Sequence, residues 1–187
     1  RKRCSTREEV RVRSAPNIAK VVAGSMGLCK TVGAEVFVTE ALRNAGIRPM
    51  GPRRHKLDKM GAFLKDVNRE NGLPATVWST TDHREALTGA DYVICMVQIG
   101  GNEAYKADIE IPLRYGVDQC IGDSMGPGGI MRGARTAPFL VDLVRDMEEL
   151  CPGAPLLNYT NPMAVVCLTL GRLVKTVPFI GLCHGVQ

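Results

Sequence analysis

Short β-branched runs alternate with helical stretches along most of this 187-residue chain, and that alternation constrains its fold more than any other feature. Ile18–Val22 reads as a strand, followed by a small-residue turn at Ala23–Gly27 and a helix reaching about Ala45, where Gly46 stops it. Ile47–Met50 is a second, short strand. His55–Asn71 is helical, with Leu57, Met60, Phe63, Leu64 and Val67 at helical spacing and Gly72 as its C-cap. Ala75–Ser79 is a third strand, and Asp82–Leu87 a short helix with Asp82 at the N-cap and Glu85 completing a capping box. Asp91–Val97 is apolar after its first residue, as a strand covered on both faces should be. Thr136–Leu150 (helix), Pro155–Tyr159 (strand), Pro162–Leu173 (helix) and Val177–Leu182 (strand) complete the pattern. Strands and helices in this order predict a doubly wound parallel α/β sheet with right-handed crossovers. Residues 16–187 are expected to form one such domain, behind a basic, disordered head at 1–15.

Charge and cysteine usage narrow the class. The 24 Lys+Arg and 19 Asp+Glu give 24 − 19 = +5, but residues 1–60 hold 14 basic and five acidic residues, a net of +9. The remaining 127 residues hold 10 and 14, a net of −4. Glu8 and Glu9 interrupt the basic head, and only Phe37 and Phe63 lie near it. It lacks the aromatic stacking platform of a single-strand binder, so no nucleic-acid partner is expected. Apolar runs stay far below the 18 residues of a bilayer span; Met163–Gly171, among the longest, already includes Thr169. No membrane partner is expected either. Seven cysteines without CxxC spacing, several inside apolar runs, fit reduced thiols in a cytoplasmic protein.

The glycine-bearing turns carry the chemistry. Val21-Val22-Ala23-Gly24-Ser25-Met26-Gly27 follows the first strand, where a dinucleotide's pyrophosphate meets a helix N-terminus. Only two glycines stand in it, so a plain helix–strand packing role is equally compatible. No acidic ribose partner follows the second strand; Arg53 and Arg54 stand there and could receive a phosphate or simply be solvated. Gln98-Ile99-Gly100-Gly101 follows the apolar strand, at a carboxyl end where such sheets bind ligands. The densest cluster, Gly122-Asp123-Ser124-Met125-Gly126-Pro127-Gly128-Gly129, reads as a binding loop, with Arg132 and Arg135 able to ligate anions beyond it. Asn161 before Pro162 is a natural N-cap, or alternatively a donor to substrate hydroxyls. Cys183-His184 offers a soft metal ligand beside a titratable group, with a buried structural Cys as the plain alternative.

Taken together, ADYVICMVQIGG, GDSMGPGGIMRGARTAP, LLNYTNPMAV and GLCHGVQ, in this order and spacing, resemble glycoside hydrolase family 4, especially its α-galactosidases. The resemblance is strong from about Lys56 to Gln187, while residues 1–55 fit the family pattern poorly. It implies a Rossmann-like sheet of the lactate/malate dehydrogenase type, with a substrate domain beyond this chain. It further implies hydrolysis of α-galactosides by NAD-dependent oxidation at C3, elimination and water addition, assisted by a divalent metal such as Mn. Carried over residue by residue, it places Gly24, Ser25, Gln98 and Gly100 at the cofactor, and Asp123 and Asn161 at the substrate. It makes Cys183 a metal ligand and His184 the proton donor to the leaving group. The partner is then a small α-glycoside, the full-length protein a homo-oligomer, and this stretch alone inactive. Three departures accompany it. Val22 and Leu28 stand where the family has Gly and Phe, Gly51–Arg53 where it has an acid, and Gly185 where α-galactosidases have Ser. Competing readings are an α-glucosidase or α-glucuronidase of the same family, a non-catalytic nucleotide-binding module and a malate- or lactate-type dehydrogenase.

Overall fold

The computed structural model describes the backbone of residues 19–24 and 45–50, and residues 54–72, 74–120, 122 and 124–183 in full. Its strands are β1 (Ala19–Gly24), β2 (Ala45–Met50), β3 (Thr76–Val77), β4 (Tyr92–Cys95), β5 (Leu156–Asn158) and β6 (Phe179–Gly181). Its helices are α1 (Arg54–Glu70), α2 (His83–Leu87), α3 (Gly101–Arg114), α4 (Gly126–Leu150) and α5 (Met163–Leu173).

All six strands are parallel, in the order β3-β2-β1-β4-β5-β6. The chain therefore winds outward from β1 to one edge, returns to β4 beside β1, and winds outward to the other. This is the doubly wound arrangement expected from the alternation, and its reversal lies between β1 and β4.

Register decides which side chains share a face. Val93 pairs with Leu156 and Leu156 with Phe179, and this row joins Leu140, Val144 and Met147 of α4 and Val166 and Leu170 of α5 in one core. The next row, Ile94, Leu157 and Ile180, points to the opposite face, where Ile180 is exposed. Leu57 and Gly61 bury one side of α1, which packs against β2 and β3.

Several elements differ from the pattern reading. β2 begins at Ala45, because Ala45 and Gly46 pair with Ala19 and Lys20; the helix expected to reach Ala45 lies outside the described residues. β3 and β4 are shorter than their apolar runs, since pairing ends before hydrophobicity does. Tyr92 at the start of β4 is exposed, so that strand is not sealed on both faces. Phe63 is 61% exposed, because the buried stripe of α1 passes through Gly61 instead. Asp82 caps α2 as expected, accepting from the Arg84 and Glu85 amides at 2.9 and 3.4 Å. Glu85 closes the box indirectly: it accepts from Thr80 Oγ1 at 2.5 Å, which in turn accepts the Asp82 amide at 3.0 Å.

α4 holds the largest difference. The helix expected from Thr136 starts ten residues earlier, inside the glycine cluster, and continues through Pro138. Glycines are poor helix formers in isolation; here they lie in close contact with Asp108 of α3 and with Gln119, Gly122 and Ser124. α3 itself follows the Gly100-Gly101 pair and has no counterpart in the pattern reading.

Candidate functional site

Because every strand is parallel, their carboxyl ends meet at one edge of the sheet, and the candidate residues gather there. Gly24 ends β1, Gln98–Gly101 follows β4, Asn161 follows β5, and Cys183 follows β6. The first two flank the reversal of strand order, the crevice where such sheets take a dinucleotide. Ser25, Asp123 and His184 lie outside the described residues, as do Arg53 and the head at 1–15.

Asn158 and Thr160 fix the β4 and β5 ends to one another. Fully buried Asn158 donates from Nδ2 to the Thr160 carbonyl at 3.1 Å and accepts the Thr160 amide at 3.2 Å. Thr160 Oγ1 accepts the Val97 amide at 3.0 Å, and the Tyr159 amide donates to the Cys95 carbonyl at 2.8 Å. Both side chains are thus structural, and the chain leaves this clamp with Asn161 partly exposed at the edge. The Asn161–Pro162 peptide is cis, and Pro162 occupies the cap position of α5. Asn161 therefore precedes the cap position.

Gln98 builds the loop after β4. Its side-chain nitrogen donates to the Gly101 carbonyl at 3.0 Å, and the Gly101 amide donates to the Gln98 carbonyl at 3.2 Å. Gly100 sits at φ +82°, in the left-handed region, and a Cβ there would lie 2.5 Å from Ala104 Cβ and 3.3 Å from Arg135 Nε. Only glycine fits this position. The first turn of α3 opens directly behind it, at the sheet edge.

Of the two arginines beyond the glycine cluster, Arg135 ligates an anionic group of the protein itself. Arg135 makes a bidentate pair with Asp108, Nη2 to Oδ2 at 2.5 Å and Nη1 to Oδ1 at 3.2 Å. Its Nε donates to the Ile99 carbonyl at 3.0 Å. Arg132 is buried, its guanidinium 5.6 Å from the centre of the Tyr105 ring. Within the cluster, Gly128 is a close packing contact. A Cβ on Gly128 would stand 2.5 Å from the backbone oxygens of both Asp108 and Gly122. Gln119 bridges the same contact, accepting the Gly128 amide at 2.9 Å and donating to the Asp108 carbonyl at 3.1 Å.

The thiols divide by environment. Burial pushes Cys95 up to about 11, against a smaller opposing effect of its contact with Thr160. Burial also raises Cys151 and Cys167. Cys183 is exposed, so the buried structural role does not apply to it. Among the described residues no group of three or more His, Cys, Asp or Glu side chains could hold a metal ion; Cys183 is a soft donor at the sheet edge. No described helix is long and apolar enough to cross a membrane.

Comparison with known proteins agrees with this geometry. A model of family 4 glycosyl hydrolases matches residues 17–187, reaching back through β1 well beyond the Lys56 start of the resemblance above. An α-galactosidase of Rhizobium meliloti (strain 1021) is 43% identical over 171 residues, 91% of this chain and 35% of that one. An α-galactosidase of Bacillus subtilis (strain 168) is 39% identical, over 91% of this chain and 39% of its own length. This chain thus spans well under half the length of these relatives. Among solved structures, a 6-phospho-α-glucosidase from gut microorganisms in complex with NAD and glucose-6-phosphate superposes with a TM-score of 0.78 at 25% identity. It covers 89% of this chain and 40% of that one. Malate dehydrogenase of Plasmodium falciparum, at 10% identity and TM-score 0.61 over 89% of this chain and 45% of its own, shares the fold alone.

Proposed function

From the premise that this chain belongs to glycosyl hydrolase family 4, we propose that it is the cofactor-binding part of an α-galactosidase working by oxidation at C3, elimination and water addition. The observation that carries the reading is the single sheet edge that collects Gly24, Gly100, Asn161 and Cys183 from four different strands. Bound NAD supplies a hydride acceptor, and a divalent metal supplies a Lewis acid.

The chain's own residues then divide the work. The turn at Gly24 and Ser25 and the loop at Gln98 and Gly100 receive the dinucleotide at the reversal of strand order. The backbone fit is specific: Gly100 adopts a conformation that a side chain would forbid, and the helix start behind it offers amides to an anion. Asn161, held at the edge by the Asn158–Thr160 clamp, donates to or accepts from sugar hydroxyls, and Asp123 is a second substrate contact. His184 gives a proton to the departing aglycone oxygen. Cys183 would be one ligand of the metal, and the others would come from outside the described residues.

The test uses the chain as it stands. Calorimetry should show NAD⁺ binding, and nitrophenyl α-galactoside with NAD⁺, Mn²⁺ and a reductant should not be turned over. Absence of NAD⁺ binding would remove the cofactor assignment; turnover would show that the catalytic set is complete within these residues. In a longer chain carrying this segment, Asn161→Ala should lower turnover of that substrate by about 10-fold or more, the worth of one substrate hydrogen bond.

A second sugar preference rests on a separate observation. An α-glucosidase of Erwinia rhapontici is 38% identical over 92% of this chain and 38% of its own. Faster turnover of nitrophenyl α-glucoside than of the α-galactoside by the longer chain would decide for it.

A further inference from the structure

We propose that Arg135 and Asp108 are positioning residues that set the angle of the Gln98–Gly101 loop against the incoming dinucleotide. The inference rests on the reading of that loop as part of the cofactor seat. Asp108, on the second turn of α3, is 2% exposed, and Arg135 lies on the third turn of α4. Two guanidinium nitrogens are taken by the carboxylate, and the third donates to the Ile99 carbonyl in the middle of the loop. The side chain lies against loop backbone so closely that a Cβ on Gly100 would stand 3.3 Å from Nε and 3.4 Å from Cδ. A second link runs from the same aspartate: its carbonyl accepts from Gln119, and Gln119 accepts the Gly128 amide in the first turn of α4. Loop, α3 and the start of α4 are thereby joined as one unit.

Stability alone does not account for such a pair. A buried ion pair is commonly no more stabilising than well-packed apolar residues of the same volume. What an arginine adds is a planar fork whose third donor reaches the Ile99 carbonyl at a fixed angle to the other two. A lysine supplies the charge as a point and cannot make all three bonds. Arg135→Lys therefore separates positioning from charge compensation.

The experiment compares the parent chain, Arg135→Lys and Val144→Ala. Val144 is buried nine residues further along α4, so its truncation loosens the core away from the loop. NAD⁺ affinity is read by calorimetry, folded fraction by circular dichroism, and amide exchange over residues 96–104 by mass spectrometry. Arg135→Lys should weaken NAD⁺ binding by about tenfold or more and speed exchange over 96–104. Val144→Ala should lower the melting temperature yet leave affinity within about twofold, as expected of a site with no shared partners. Asp108→Asn, which keeps the shape and removes the charge, serves as the second variant should Arg135→Lys fold poorly, and should weaken binding in the same direction. Arg135→Lys binding within about twofold of the parent, or weakening no greater than that of Val144→Ala, overturns the positioning role and leaves the cofactor reading standing. A parent chain that binds no NAD⁺ overturns both.

Discussion

The two ends of α4 solve the problem of anchoring one long helix in opposite ways. At its start, Gly128 lets the backbone come within touching distance of α3, and of the charges nearby Asp108 is buried and Arg135 half-buried. At its far end half-buried Asp146 and exposed Glu149 hold the exposed Arg84, and Asp146 also meets the exposed His83 Nε2 at 2.6 Å. Between them, Leu140, Leu143, Val144 and Met147 fill an ordinary apolar core. The exposed ion pairs register α2 on α4 at little desolvation cost. The buried set gives up flexibility and hydration to fix a loop at the carboxyl edge of the sheet, where a ligand can use that rigidity. The same helix is joined through partly exposed ion pairs at one end and through a buried aspartate at the end where the candidate cofactor loop sits.

The largest expected effect is at the buried end. Asp108→Ala leaves the half-buried Arg135 guanidinium without its carboxylate and should cost about 3 kcal/mol, the lower end for a buried pair, in urea unfolding near neutral pH. A loss no larger than that of an exposed pair would break the contrast between the two ends.

Cys95, also at the carboxyl edge, gives the pH dependence. Its thiol holds its proton up to about 11 in the folded protein against an ordinary value of 9.0. The folded state therefore binds the proton more tightly. Its contribution is fully present below pH 9 and is lost as pH rises through about 11, about 3 kcal/mol in all. Cys95→Ala should flatten that alkaline fall in stability. In the native chain Cys95 should resist maleimide at pH 8 while exposed Cys120 and Cys183 react.

Gly128→Ala comes next. The added Cβ meets two backbone oxygens that cannot swing aside, so overpacking of about 1–3 kcal/mol should outweigh the gain of about 1 kcal/mol in helix propensity. A stabilised Gly128→Ala chain would show that the cluster is a loop in solution. The smallest effect belongs to the far end, where His83→Ala should cost about 0.5 kcal/mol or less.

How far these features are legible in sequence depends on whether they are local. The strand and helix alternation, the Asp82 cap and the Gly72 stop are set by residues within a turn of each other, and all three stand in the structure. α3 escaped the pattern because Asp108 occupies a buried position on the stripe with Ala104 and Pro112, so an acid sits where an apolar residue would mark the helix. The signal was there in the spacing, but only its distant partner Arg135 makes the acid tolerable inside. The glycine cluster misled for the same reason: in isolation it favours a loop, and contact with Asp108 and Gly122 holds half of it in a helix. Candidate residues Gly24, Gly100, Asn161 and Cys183 were found from motifs at strand ends, and the parallel sheet brings those ends together.

By itself the sequence determined the class of fold, the family and the strand ends at which chemistry belongs, because hydrophobic periodicity and turn residues act over short spans of chain. The tertiary structure alone decided that Arg135 is a clamp on the Ile99 carbonyl, that Gly128 is a helix contact and that Asn158 is buried scaffolding while Asn161 reaches the edge. Those roles depend on partners tens of residues away, and a charge or a glycine carries no local mark of which partner the fold will bring to it.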